Sequence, residues 1–214
     1  DPARASSAAP SEAGDQASPH RPDTLEGRGA DGADGAAWAD AVAAVLELLI
    51  GLVADAPGEA LRAHAVALLH SLVEEHAARL VAAPQVRRAV TLSLVGALLR
   101  VPALDDPVAL AGALSLFRAL FANLGAHLRG HTEVAVAHLY LAPLEDKAAP
   151  DALREVALEG LCDLCALPSF LADLYVNFDC ALHAPNLFER TAKLLCKSSF
   201  PVSGVLTPAH LLSF

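Results

Sequence analysis

Cys162-x-x-Cys165 followed by Cys180-x-x-His183 is the pattern in which structural zinc sites are written: four soft or borderline donors in two closely spaced pairs. The first pair also falls inside an apolar run ending at Leu167, where a buried cysteine behaves as a small hydrophobe. Just before the second pair, Asn177-Phe178-Asp179-Cys180 interrupts an apolar helical run with small hydrogen-bonding residues. Side chains of this kind cap a following helix, here Asp179 or Asn177, with Tyr175 and Phe178 anchoring the loop in the core. A buried polar network also fixes one loop shape and so creates a surface on which another domain docks. Elsewhere the chemistry is sparse. The nine histidines form no HExxH, and His64, His70 and His76 recur every six residues, on different sides of a helix. No G-x-x-x-x-G-K-[ST] loop exists, and the glycines from Gly27 to Gly35 follow no strand. Glu155, Glu159 and Asp163 share one helix face, a solvated ridge or a surface for a basic partner. Spacing assembles no Ser-His-Asp set and no catalytic constellation.

Composition narrows the classes further. The formal charge is −10, from 25 acidic against 15 basic residues, with no Lys/Arg cluster to offset it, which excludes nucleic acid as a partner. Hydrophobic residues make up 54% of the chain but aromatics only 5%, so the core must be Leu, Val and Ala, which favours helices. Glu47 breaks the longest apolar stretch, Ala41 to Ala54, so no stretch is expected to reach the roughly 18 residues a membrane span needs. No signal-peptide core opens the chain, and the four cysteines are expected as free thiols in a reducing, cytosolic setting. The sequence has no methionine, and Thr207-Pro208 starts a helix with six residues left to run; both features suggest an excerpt, truncated at its C-terminus.

The elements that must position these residues are helices. Residues 1–35, rich in Ala, Gly, Ser, Pro and Asp without hydrophobic period, read as a disordered linker, and 36–214 as a helical domain. A first helix is expected over Trp38 to Val53, stopped by Asp55-Ala56-Pro57-Gly58. A second runs from about Glu59 to Val81 with Leu61, Leu68, Leu69, Leu72, Val73 and Leu80 along one side and a Glu75–Arg79 ion pair. Pro84 opens a third (Val86, Val90, Leu94, Ala97, Leu98, Val101), and Asp106-Pro107 a fourth, with Leu110, Leu114, Phe117, Phe121, Leu124 and Leu128 as its buried seam. A fifth covers about Thr132 to Leu141, and Pro150-Asp151 starts a sixth, whose Leu153, Val156, Ala157, Leu161 and Leu164 face inward. Pro168 and Phe200-Pro201-Val202-Ser203-Gly204 separate the rest. Short connections suit antiparallel neighbours, and no alternating β-branched run argues for a sheet. No repeat consensus appears at 34 or 40 residues, so periodicity alone leaves solenoid and compact bundle both open.

Leu174 to Phe214, LYVNFDCALHAPNLFERTAKLLCKSSFPVSGVLTPAHLLSF, resembles the "homology upstream of Sec7" (HUS) domain of the large Arf guanine nucleotide exchange factors, whose signature is an Asn-aromatic-Asp-Cys box. The likeness extends back to Leu153 and forward through Asn186 to Ser213; FPVSG at Phe200 to Gly204 and the HLLS beyond it resemble the Golgi-type, brefeldin A-resistant branch. Ala181 departs from the acidic or amide residue usual after the box. The resemblance implies an all-α, armadillo/HEAT-like α-solenoid with a regulatory, non-catalytic role. The nucleotide-ejecting Sec7 domain would lie outside this chain. It implies that Asn177, Phe178, Asp179 and Cys180 serve contacts with the family's N-terminal dimerisation domain, and that Cys180 is no metal ligand. The implied setting is cytoplasmic, peripheral to Golgi membranes, with an Arf GTPase reached through the catalytic domain, a Rab-family GTPase as a further partner, and no cofactor. The competing expectation is a generic helical-repeat adaptor unrelated to GTPases.

Overall fold

The computed structural model describes the backbone of residues 28–199, with side chains from residue 35 onward. The expected linker up to 27 and the break and final helix after 199 lie outside the described residues. Within them every element is helical and no strand is present. Helix α1 (Arg28–Asp55) begins ahead of the boundary expected at 36, carried by an alanine-rich run, and stops at Pro57-Gly58. It buries Ala39, Leu46, Ile50 and Val53. Helix α2 (Glu59–Ala82) follows. Its core face is Ala65, Val66, Leu69, Val73 and Leu80, whereas Leu61 and Leu68 point outward. At 100° per residue those two leucines sit about 80° and 100° round the helix from Leu69, so they do not belong to the inner stripe. The Glu75–Arg79 pair is not among the ion pairs of the described residues, because His76 between them is non-helical (φ −128°, ψ 18°) and breaks the i,i+4 register.

Helix α3 covers 84–98: Pro84–Arg88, a π segment Ala89–Leu94, then Val95–Leu98, followed by a 3₁₀ turn Val101–Leu104. All six residues expected in its stripe are buried. Asp105, in the left-handed region (φ 51°), turns the chain, and Asp106 caps the next helix by accepting the Val108 N–H at 2.9 Å ahead of Pro107.

Helix α4 (Pro107–Glu145) merges the fourth and fifth expected helices, its α portion Pro107–Ala135 passing into a π segment Val136–Leu141. It is nevertheless no straight rod. The Tyr140 hydroxyl donates to the Leu114 carbonyl at 2.9 Å, across 26 residues that would separate them by about 39 Å on a straight helix. The chain therefore folds back between Leu114 and Tyr140, and α4 is a hairpin of two arms. The Phe117 and Tyr140 rings meet edge-on across it at 6.0 Å, both fully buried. Helix α5 (Asp151–Cys165) buries Leu153, Ala157, Leu161 and Leu164. Helix α6 (Phe170–Asp179) leaves it at 93°, and α7 (Leu187–Ser199) completes the described chain.

One regularity organises the packing. Gln85 donates to Asp40 at 3.1 Å and Ser93 to Glu47 at 2.9 Å; Arg62 pairs with Asp106 at 3.9 Å, Arg100 with Asp55 at 3.6 Å, and Ser115 bonds His70 at 3.2 Å. Arg190 joins Glu145 at 2.6 Å. Partners in all six contacts lie 44 to 46 residues apart. Because the offset holds along each pair, α3 runs parallel to α1 and the first arm of α4 runs parallel to α2.

Two helices are long and apolar enough to cross a membrane by length and composition, Gly35–Asp55 and Pro107–Glu145, contrary to the expectation that none is. One glutamate within α1 does not interrupt a window that begins upstream of Ala41. In α4 the 39 residues are folded into two arms, and half of the apolar window is buried in protein. In α1 only 22% is buried, and Trp38, Val45 and Leu48 face outward.

Candidate functional site

The Asn177–Cys180 box ends α6. Residues Tyr175–Asp179 are wound as a π turn, in which the Cys180 N–H reaches the Tyr175 carbonyl at 3.0 Å. Phe178 is buried in the core. Asp179 turns towards α7, whose first N–H groups have no partner within the helix. Its carboxylate accepts the N–H of Phe188 at 2.8 Å through Oδ2 and that of Glu189 at 3.0 Å through Oδ1. A negative charge at a helix N-terminus also meets the positive end of the helix dipole. Of the two caps expected, Asp179 is therefore the one used. Asn186 Nδ2 donates to the Glu189 side chain at 3.1 Å, which ties the entry of α7 to its first turn.

Tyr175 is half exposed rather than buried in the core, and packs edge-on against Phe188 with ring centroids 5.7 Å apart. Arg190 clamps α7 to the end of α4 by gripping both oxygens of Glu145. Hydrogen bonding from that guanidinium holds the Glu145 carboxyl below its ordinary range. The half-buried Asn177 lines a cavity of about 310 Å³ between α4 and α6. Arg129, Thr132 and Asp173 supply its other polar walls, and Phe121 and Phe178 its apolar ones. Cys180 is exposed.

The four residues of the box are thus contiguous in space but play different parts. Phe178 anchors, Asp179 caps, Asn177 faces a cavity and Cys180 faces solvent. The zinc pattern is not assembled. Among the described residues no three His, Cys, Asp or Glu side chains gather where they could hold a metal. Cys162 and Cys165 are half-buried in α5, where burial pushes the Cys165 thiol up to about 11 and raises Cys162 as well, the opposite of what a thiolate ligand needs.

The structure also brings together a set that spacing did not reveal. Ser115 Oγ lies 3.2 Å from His70 Nε2, and His70 Nδ1 lies 3.5 Å from Glu74. The order is nucleophile, base and orienting carboxylate. Ser115 sits in mid-helix, where the neighbouring N–H groups are spent on helical hydrogen bonds, so no oxyanion donor accompanies it. Ser115 and His70 are 45 residues apart on different helices, which is why no local motif announces them.

Compared with known proteins, the model of the Mon2/Sec7/BIG1-like HUS domain matches residues 44–187, about two thirds of the chain. The ARF guanine-nucleotide exchange factor GNL2 of Arabidopsis thaliana is 48% identical over 62 residues, 29% of this chain and 4% of that protein. GNOM of the same plant is 32% identical over 109 residues, 50% of this chain and 8% of its own length. A Golgi-specific brefeldin A-resistance guanine nucleotide exchange factor 1 homolog of Caenorhabditis elegans is 47% identical over 60 residues, 28% of this chain and 3% of that protein. The chain thus spans under a tenth of the length of these relatives. No solved structure matches.

Proposed function

The chain belongs to the Sec7-like HUS domain family, and from that premise we propose that it is a non-catalytic regulatory module of a Golgi-type Arf guanine nucleotide exchange factor. Its role is to hold other domains of the parent protein in place, while a Sec7 domain elsewhere acts on Arf. The higher identity to the brefeldin A-resistance homolog, 47% against 34% for brefeldin A-inhibited exchange protein 1 of Rattus norvegicus, supports the Golgi-type branch. The 44 to 46 residue offset between bonded helices supports an armadillo/HEAT-like array, whose repeats have about this length. In such an array the outward apolar face of α1 is a stacking face for another helical repeat. Peripheral Golgi association and a Rab-family GTPase partner follow the family resemblance.

The observation that carries the reading is the division of labour in the box. Asp179 is committed to α7, whereas Asn177 stands in an open cavity beside Arg129 and Asp173. The N-terminal dimerisation domain of the parent protein docks there. Calorimetric titration of that domain against Asn177→Ala tests this: binding is lost while the melting temperature is unchanged. Unaltered binding overturns the docking role. The chain alone leaves the rate of fluorescent-nucleotide release from Arf unchanged; a clear acceleration would sink the non-catalytic reading.

A further inference from the structure

The first arm of α4 has a cleft on each side. Between α2 and this arm lies a cleft of about 500 Å³ floored by Ala63, Val66, Ala67, Ala109 and Gly112, with the exposed Val108 beside it. A Cβ on Gly112 would lie 3.1 Å from Val66 Cγ1, so the floor is a close helix contact with no large side chain standing in it. Between the arm and α5 lies a second cleft of about 230 Å³, walled by Leu114, Arg118, Val156, Glu159 and Asp163. Ser115 lines both, so the two are continuous across one face.

Their electrostatics differ. In the first cleft Arg62 and Asp106 are committed to each other at 3.9 Å. In the second, two carboxylates face the single guanidinium of Arg118, and neither Glu159 nor Asp163 has an ion-pair partner among the described residues. Glu155, one turn earlier on α5, extends the acid beyond the cleft.

We propose that this paired cleft is a docking groove for an amphipathic helix of a partner protein, with a bulky apolar residue in the α2/α4 cleft and a Lys or Arg against Glu159 and Asp163. Small residues on the floor leave room for a Leu or Phe side chain. The walls are helices whose backbone groups bond internally, so an extended peptide finds no backbone partners, whereas a helix needs none. Neighbouring helices pack about 8–10 Å apart, a distance a helix covers in about seven residues, so the anchor and the cation are one heptad apart on the same face. Basic charge on the partner complements the acidic ridge and the −10 charge of the chain. The groove lies on elements other than the Asn177–Cys180 box, so this inference stands or falls independently of the proposed docking there.

The probe is a fluorescein-labelled Leu/Lys amphipathic helix of about 18 residues, five turns long, titrated into the full chain by anisotropy, with a Leu/Glu counterpart as control. The Leu/Lys peptide binds and the Leu/Glu peptide does not. Ala67→Phe, which fills the first cleft from an exposed position, weakens binding about tenfold or more. Glu159→Lys with Asp163→Lys weakens it and flattens its salt dependence. Leu48→Glu on α1 and Asn177→Ala leave it unchanged. Circular dichroism verifies that each variant is folded. Equal binding of both peptides, indifference to Ala67→Phe, or loss with Leu48→Glu overturns the groove.

Discussion

Asp179→Ala removes one carboxylate that serves two backbone donors, Phe188 at 2.8 Å and Glu189 at 3.0 Å, and leaves no side chain to replace it. Losing an N-cap acceptor costs about 0.5–2 kcal/mol, and losing the charge at a helix N-terminus about 0.3–1 kcal/mol more. Here both act together at a half-buried position, which places the loss at about 1.5–2.5 kcal/mol. For a chain of this size that lowers the melting temperature by about 3–10 °C. Helix α7 should not detach, because Leu187 and Thr191 stay buried and Arg190 still grips Glu145. The damage is local opening. In native-state hydrogen exchange the amides of Phe188 and Glu189 exchange about ten to seventy times faster, while those of α3 do not change. Asp179→Asn, which keeps one acceptor oxygen, gives an intermediate value. If the two amides exchange at the wild-type rate in Asp179→Ala, the cap is not what holds the start of α7, and the division of roles within the box fails with it.

Two glycines respond with opposite signs to the same substitution. A Cβ on Gly160 would lie 2.7 Å from Leu114 Cδ1 and 3.1 Å from its Cβ, so Gly160→Ala forces α4 and α5 apart and destabilises by about 1–3 kcal/mol. Gly51 in α1 has open space, and Gly51→Ala stabilises by up to about 1 kcal/mol in urea unfolding. The Glu145 carboxyl is held down by Arg190, so its contribution is fully present above its unfolded value of 4.5 and disappears as pH falls through the lower folded one. Between pH 6 and 3, Glu145→Gln therefore loses less stability than wild type, by about 0.5–1 kcal/mol at low salt, since the pair is partly exposed. Iodoacetamide at pH 8 labels the exposed Cys180 and Cys196 and spares Cys165, whose thiol sits near 11; mass spectrometry of the digest reads the pattern.

Helix starts were legible wherever a proline or an aspartate marked them: Pro84, Asp106-Pro107 and Pro150-Asp151 all stand where the structure begins a helix. The stripes of α3 and the first arm of α4 were legible because each residue in them is buried on a regular period. Leu61 and Leu68 misled, because leucine on a helix reads as core whichever way it points, and Ala65 and Val66 hold the inner positions instead. The two arms of α4 were legible as the separate runs ending near Leu128 and starting near Thr132, and the Tyr140–Leu114 bond folds one back on the other. Asp179 was recognised as a capping residue by type, yet its targets lie nine and ten residues away, beyond any contiguous motif. Asn186 and Glu189, at the ordinary three-residue spacing, were the local sign of the start of α7. The 45-residue offset escaped because it is carried by geometry: Asp40 meets Gln85 and Glu47 meets Ser93, and such pairs share position without sharing residue type.

The uniform stride has a mechanical consequence. Three of the six contacts tie α1 to the α3 region, two tie α2 to the start and first arm of α4, and one ties the end of α4 to α7. Sliding α1 by one turn along its own axis would break its three contacts to the α3 region at once, so the shared interval fixes the two helices in a single register.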